Sequence, residues 1–224
     1  MKIIKYPDAE MMAMDLATDL ANQLGRCLSE KERVTFVVPG GRTPGPVFDV
    51  LSGVSLDWER VDVLLCDERW VGEDSSRSNT RMLRERLLVD QAANARLIPL
   101  YQPAEQPEEV VEELAQVIEP LLPIDVLLLG MGRDMHTASL FPDGDRLEAA
   151  FDPHAPILMP MRSPSAKDTR LTLTAPVLMG ATITHILFTG KTKKKVLKTA
   201  RKLNDPLKAP ISAFLRGATV HWTP

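Results

Sequence analysis

Residues 124–142, IDVLLLGMGRDMHTASLFP, pass from the apolar run Val126, Leu127, Leu128 and Leu129 straight into Gly130 and Gly132, and then into Arg133, Asp134 and His136. A short unbroken apolar run is the pattern of a strand buried on both faces, as in a parallel sheet covered by helices. The glycines break the strand, and Thr137-Ala138-Ser139-Leu140 reads as the first turn of a helix that Phe141-Pro142 ends. In an open α/β sheet this order sets polar side chains at the carboxyl end of a strand, where such folds bind ligands.

Spacing excludes several kinds of site here. A dinucleotide fingerprint beginning at Gly130 needs a third glycine at position 135, where Met135 stands, and no acidic residue closes an obvious strand about 20 positions further on. Asp134 and His136 are too few for a metal centre, with no HExxH and no paired cysteines nearby. Ser139 lacks the flanking glycines of a nucleophile elbow. What remains is a histidine beside a carboxylate, which can orient the imidazole and make it a better base. Such a pair in a loop is structural more often than catalytic, so its meaning depends on what else reaches it.

Three other strand ends carry comparable clusters. The apolar run 34–38 leads into Pro39-Gly40-Gly41-Arg42-Thr43-Pro44 and then a helix through Leu51. A glycine pair between strand and helix lets backbone N–H groups approach an anion, and also serves as an ordinary tight turn. Residues 61–66 form a third buried strand, followed at once by Asp67-Glu68-Arg69-Trp70. Strand 184–189 meets Gly190, and seven of the twelve residues 191–202 are basic. Gly190-Lys191-Thr192 is not a P-loop, because His185 occupies the position of the first glycine. Most of those lysines read as a solvated face opposite Val196, Leu197, Ala200 and Leu203; one or two at the helix start can reach a bound phosphate.

The remaining segments complete an alternation of strands and helices. Strand 2–6 precedes a helix capped by Asp8 and reaching about Leu28, with Met12, Leu16, Leu20 and Leu24 as its core stripe. Ser78-Asn79 caps a helix over 80–89 whose Arg81, Arg84 and Arg86 face solvent; 97–101 is a short strand, and Pro107 starts a helix to about Ile118. Residues 157–159 form an edge strand, and 170–174, RLTLT, a strand whose wet face carries Arg170, Thr172 and Thr174. His154, His185 and His221 have no evident partners. This alternation indicates an α/β fold with a mainly parallel sheet flanked by helices, in one domain spanning 1–224. Parallel strands bring their carboxyl ends to one edge, so the clusters should converge.

Composition bounds the rest. The 224 residues are 44% apolar and 25% charged, ordinary values for a sizeable core. A net charge of −3 gives no global basic field for nucleic acid. Cys27 and Cys66 stand far apart outside any CxxC pair, which suits a reducing cytoplasm. The N-terminus lacks the plan of a signal peptide, and no run of apolar residues is long enough to span a membrane.

Taken in order, PGGRTP at 39–44, DERWV and SNT within 67–80, LLLGMGRDMHTASLFP at 127–142, RLTLT at 170–174 and Gly190-x-x-Lys193 resemble the 6-phosphogluconolactonase family. The match spans about residues 34–215, and its 127–142 segment is the most specific part. The resemblance implies the Rossmann-like α/β arrangement shared with glucosamine-6-phosphate isomerases, no metal or organic cofactor, and a phosphorylated sugar lactone as substrate. It implies that His136 is a general base for hydrolysis of 6-phospho-D-glucono-1,5-lactone, held by Asp134 with Asp67 nearby. Arg69 then faces the developing oxyanion or the substrate hydroxyls, while Gly40, Gly41, Thr43, Arg170 and Lys193 clamp the phosphate. Oligomeric state is left open.

Three departures stand out. Pro39 and Arg42 replace two serines of the family's Ser-Gly-Gly-Ser-Thr turn, exchanging a hydroxyl for a cation that should keep phosphate affinity. Met135 replaces a glycine between Asp134 and His136, which a side chain tolerates if φ stays negative. The segment Val220-His221-Trp222-Thr223-Pro224 lacks the family's Asp-Ala-Ala tail, a change expected at an edge element. Two other functions fit parts of the pattern. A phosphosugar isomerase or deaminase needs a base poised at C2 of an open-chain sugar, which the 67–69 and 130–142 segments match less well. A non-catalytic phosphosugar sensor lacks any helix-turn-helix region in this length.

Overall fold

The apolar runs do become the centre of a sheet. In the computed structural model, which describes residues 1–224, seven strands lie in the order β1-β10-β9-β6-β2-β3-β5, and every pairing is parallel. They are β1 (Lys2–Lys5), β2 (Val34–Val38), β3 (Val61–Leu65), β5 (Arg96–Ile98), β6 (Val126–Leu129), β9 (Ile183–Thr189) and β10 (Thr219–Thr223). Strands β2, β3 and β6 are buried at every position, as parallel strands covered on both faces must be. Helix α1 (Ala9–Glu30) starts at Asp8, whose carboxylate accepts from the Met11 N–H, and buries Met12, Leu16, Leu20 and Leu24. Helices α2 (Gly45–Ser52), α3 (Asn79–Arg86), α4 (Val111–Ile118), α5 (Leu147–Ala150), α6 (Ala175–Met179) and α7 (Lys191–Leu203) follow, and one cluster of 56 buried residues joins them to the sheet. No helix is long and apolar enough to cross a membrane.

A second, antiparallel sheet has the order β4-β8-β7, from β4 (Asp67–Arg69), β7 (Leu158–Met161) and β8 (Arg170–Leu173). This corrects the reading of RLTLT as half wet. Thr172 and Thr174 are fully buried, because β8 lies between two strands and the hydroxyls of Thr172 within it and Thr174 just after it bond to backbone carbonyls. Other departures are local. Residues 137–140 form no helix: Ala138 takes φ 49°, and an antiparallel bridge joins Thr137 to Leu140. Helix α3 ends at Arg86 rather than near 89, and Leu203 is exposed. The C-terminal strand β10 is not an edge element; it lies between β9 and the true edge strand β1.

The order of strands fixes where a ligand goes. From β2 the chain proceeds to β3 on one side, and from β6 to β9 on the other. The crossovers therefore diverge between β2 and β6, leaving a crevice outside their carboxyl ends.

Candidate active site

A cleft of about 340 Å³ occupies that crevice. Its walls carry Gly40, Gly41, Arg42 and Thr43 from the turn after β2, Asp67 and Arg69 from β4, and His136 from the loop after β6. Arg170 from the start of β8 and Lys193 from the first turn of α7 complete it. Of the residues marked by sequence, Asp134 alone does not line the cleft; it sits behind His136 and holds it.

The loop after β6 closes on itself through Gly132 N–H to His136 O at 2.9 Å and Met135 N–H to Gly132 O at 3.4 Å. This turn sets Asp134 Oδ1 2.6 Å from His136 Nδ1, and the same oxygen accepts from the His136 backbone N–H at 3.3 Å. Burial pushes the Asp134 carboxyl up, but hydrogen bonds and the charge of His136 outweigh it and hold the group below the usual carboxylate range. With Nδ1 engaged, Nε2 is the nitrogen left without a protein partner. Phe141 packs against the ring with centroids 4.7 Å apart. Met135, expected to keep a negative φ, takes φ 70°, because the turn and the bond from Ile211 N–H to Met135 O fix its backbone there.

Asp67, expected near the imidazole, shares the cleft with His136; it accepts from Ser139 Oγ at 2.6 Å and from the Cys66 thiol at 3.3 Å, and lies 3.9 Å from Arg170 Nη1. Burial, partly offset by Asp67, holds the Arg170 guanidinium below its usual pKa, and its Nε is buried without a partner. Lys193 makes no ion pair within 4 Å; burial lowers its pKa first, and the nearby Arg133 charge adds to that. Arg42 is exposed at the rim without a hydrogen-bonding partner.

Two residues escaped sequence reading. Asn79, read in sequence as a helix cap and within the SNT segment but given no role in the site, accepts from Arg69 Nη1 at 2.8 Å and donates to Asp67 O at 3.0 Å. It also packs on Gly40 so closely that a Cβ there would lie 2.0 Å from its side chain, which is why that position is glycine. Glu68 is fully buried and accepts from the Asn79 and Thr80 N–H groups at 2.8 and 2.7 Å, satisfying the orphan donors at the start of α3. No three His, Cys, Asp or Glu side chains cluster so as to hold a metal ion.

A parallel α/β sheet with a cationic, glycine-floored cleft at its switch point and a His–Asp pair beside it defines the class of open α/β proteins that can hold an anionic ligand against a base. The chain belongs to the glucosamine-6-phosphate isomerase/6-phosphogluconolactonase family, whose model matches residues 7–222. It is 43% identical over 222 residues to a 6-phosphogluconolactonase of Pseudomonas aeruginosa, covering 98% of this chain and 93% of that one. The crystal structure of a 6-phosphogluconolactonase from Shewanella baltica superposes with a TM-score of 0.96 at 31% identity, covering 100% of this chain and 97% of that one. A monomeric glucosamine-6-phosphate deaminase shares the fold, with a TM-score of 0.77 at 17% identity over 100% of this chain and 97% of that one.

Proposed function

We propose that this chain hydrolyses 6-phospho-D-glucono-1,5-lactone to 6-phosphogluconate, with His136 as the general base. The observation that carries the assignment of the base is the 2.6 Å bond from Asp134 to His136 Nδ1, which leaves Nε2 for the cleft. His136 Nε2 takes a proton from water as the water oxygen bonds to the lactone carbonyl carbon. The tetrahedral intermediate then collapses with cleavage of the bond to the ring oxygen, which receives the proton from the imidazolium. Asp134 orients the ring and stabilises its charged form. Arg69, held by Asn79, faces the oxyanion or the ring hydroxyls. Gly40, Gly41 and Thr43, with Arg170, Lys193 and Arg42, hold the phosphate at the other end and so position the lactone.

The family and the likeness to named 6-phosphogluconolactonases support the reaction, and so does one cleft lined by a glycine turn, several cations and a base. We read residues 1–224 as one domain on the strength of its single core cluster, and place the reaction in the cytoplasm, where free Cys27 and Cys66 stay reduced. The test is disappearance of freshly made phosphogluconolactone against its spontaneous hydrolysis. His136→Ala should lower kcat by roughly 10²–10⁴-fold with product binding retained. A variant keeping more than about half of the parent kcat removes His136 from the mechanism.

A further inference from the structure

A second cleft, of about 410 Å³, opens beyond the turn that carries Gly41 and Arg42. It shares Arg42, Arg69 and Asn79 with the first cleft and adds Arg77 and Arg86. No acidic side chain lines it. Arg77 is anchored from outside by Asp168, and Arg86 by Asp49 through Nε and Nη2. These contacts orient the guanidiniums but use few of their donors: Arg77 commits Nη1, Arg69 commits Nη1, and Arg42 commits none. Four guanidiniums line a cleft that holds no acidic side chain, an arrangement suited to a phosphate-type anion. Pre-oriented arginines lose little freedom on gripping such a ligand.

We propose that this arginine-lined cleft is a second anion site, which takes a phosphate-type dianion and slows turnover when filled. Arg42 and Arg69 line both clefts, so an anion in the second draws on side chains that face the first. The binding step stands on the geometry of this cleft alone; its kinetic effect rests on the lactonase reading.

Inorganic phosphate is the probe. In the parent it should give mixed inhibition of lactone hydrolysis, lowering kcat as well as raising KM. Arg77→Gln combined with Arg86→Gln should leave phosphate-free kcat within about twofold and turn the inhibition purely competitive; both arginines sit in surface ion pairs, whose loss the fold tolerates. Calorimetric titration separates the sites. Lys193→Ala, which impairs the first cleft, should still bind one phosphate, and adding the two arginine changes should weaken that site by at least about tenfold. Purely competitive inhibition in the parent overturns the proposal, as does a phosphate site in Lys193→Ala that survives loss of Arg77 and Arg86. Absence of lactone turnover in phosphate-free parent would instead sink the lactonase reading and leave the titration as an independent test.

Discussion

Gly132 carries an ordinary backbone angle and is glycine for another reason: a Cβ there would lie 2.2 Å from His136 Nδ1 and 2.3 Å from Asp134 Oδ1. One methyl group would therefore displace both members of the His–Asp pair. Gly132→Ala should cut kcat by about 10²-fold, the cost of a misplacement near 1 Å, while KM and the thermal midpoint change little. Parent-like kcat would show that the loop absorbs the methyl elsewhere. Met135 poses the opposite problem. Its left-handed φ of 70° costs a non-glycine residue about 1–2 kcal/mol. Met135→Gly relieves that strain but loosens the unfolded chain by about 0.5–1 kcal/mol and removes a side chain packed on the core. Its unfolding free energy should stay within about 1 kcal/mol of the parent, whereas β-branched Met135→Ile should be clearly less stable by denaturant titration. If the isoleucine variant matches the glycine one, the backbone there is not left-handed. Sequence pointed to position 135 but gave the wrong sign of φ, because the bonds that fix the turn come partly from Ile211, 76 positions away in the chain.

At the scale of elements, two of the three histidines without evident sequence partners, His185 and His221, join strands to a helix. Tyr6 Oη lies 2.8 Å from His221 Nδ1, His221 Nε2 lies 2.8 Å from His185 Nδ1, and His185 Nε2 lies 2.7 Å from Gln23 Oε1. One proton pattern satisfies the chain: Tyr6 donates, each neutral imidazole accepts at Nδ1 and donates at Nε2, and Gln23 accepts. Charging His185 would set its Nδ1–H against the Nε2–H of His221, whereas charging His221 would reverse the Tyr6 bond, the phenol oxygen then accepting. Burial accordingly depresses His185 to about 4 and His221 to about 3, the neighbouring His185 and Lys2 adding to the latter and Asp19 opposing the former. Both folded values lie below the unfolded value of about 6.5, so this stability is whole above pH 6.5 and is lost as pH falls towards 4. Each pH unit in that window should cost up to about 1.4 kcal/mol per histidine, read as a falling denaturant midpoint. His185→Gln should flatten the slope; an unchanged slope would assign the acid sensitivity to other groups. Sequence could not show this network, since its members are joined only by the parallel registers of β9 and β10 and by α1. The same holds for β4: the charged triplet 67–69 carries no strand pattern and pairs only because β8 supplies a partner a hundred residues on.

For the whole molecule, the major sheet was legible because its central strands are unbroken apolar runs, and the site because parallel strands must end on one edge. What the sequence did not reveal is how the cations are left. Arg170 and Lys193 line the cleft partly out of water, one with its nearest carboxylate oxygen at 3.9 Å and the other without an ion pair. Burying positive charge without close partners disfavours the empty cleft, and a dianion arriving there recovers the missing interaction. Lys193→Ala should thus weaken binding of 6-phosphogluconate by about 1.5–3 kcal/mol, the range for a charged hydrogen bond. Arg170→Ala should cost a similar amount but also strips Asp67 of its neighbouring cation, so the lysine is the cleaner probe. Unphosphorylated gluconolactone lacks the phosphate these cations are proposed to hold. It should be a poor substrate, and its kcat/KM should be the same in the parent and in Lys193→Ala. Parallel kinetics on the two lactones decide the matter: equal losses for both would mean that Lys193 supports the ring or the fold, and that the phosphate is held by the glycine turn alone.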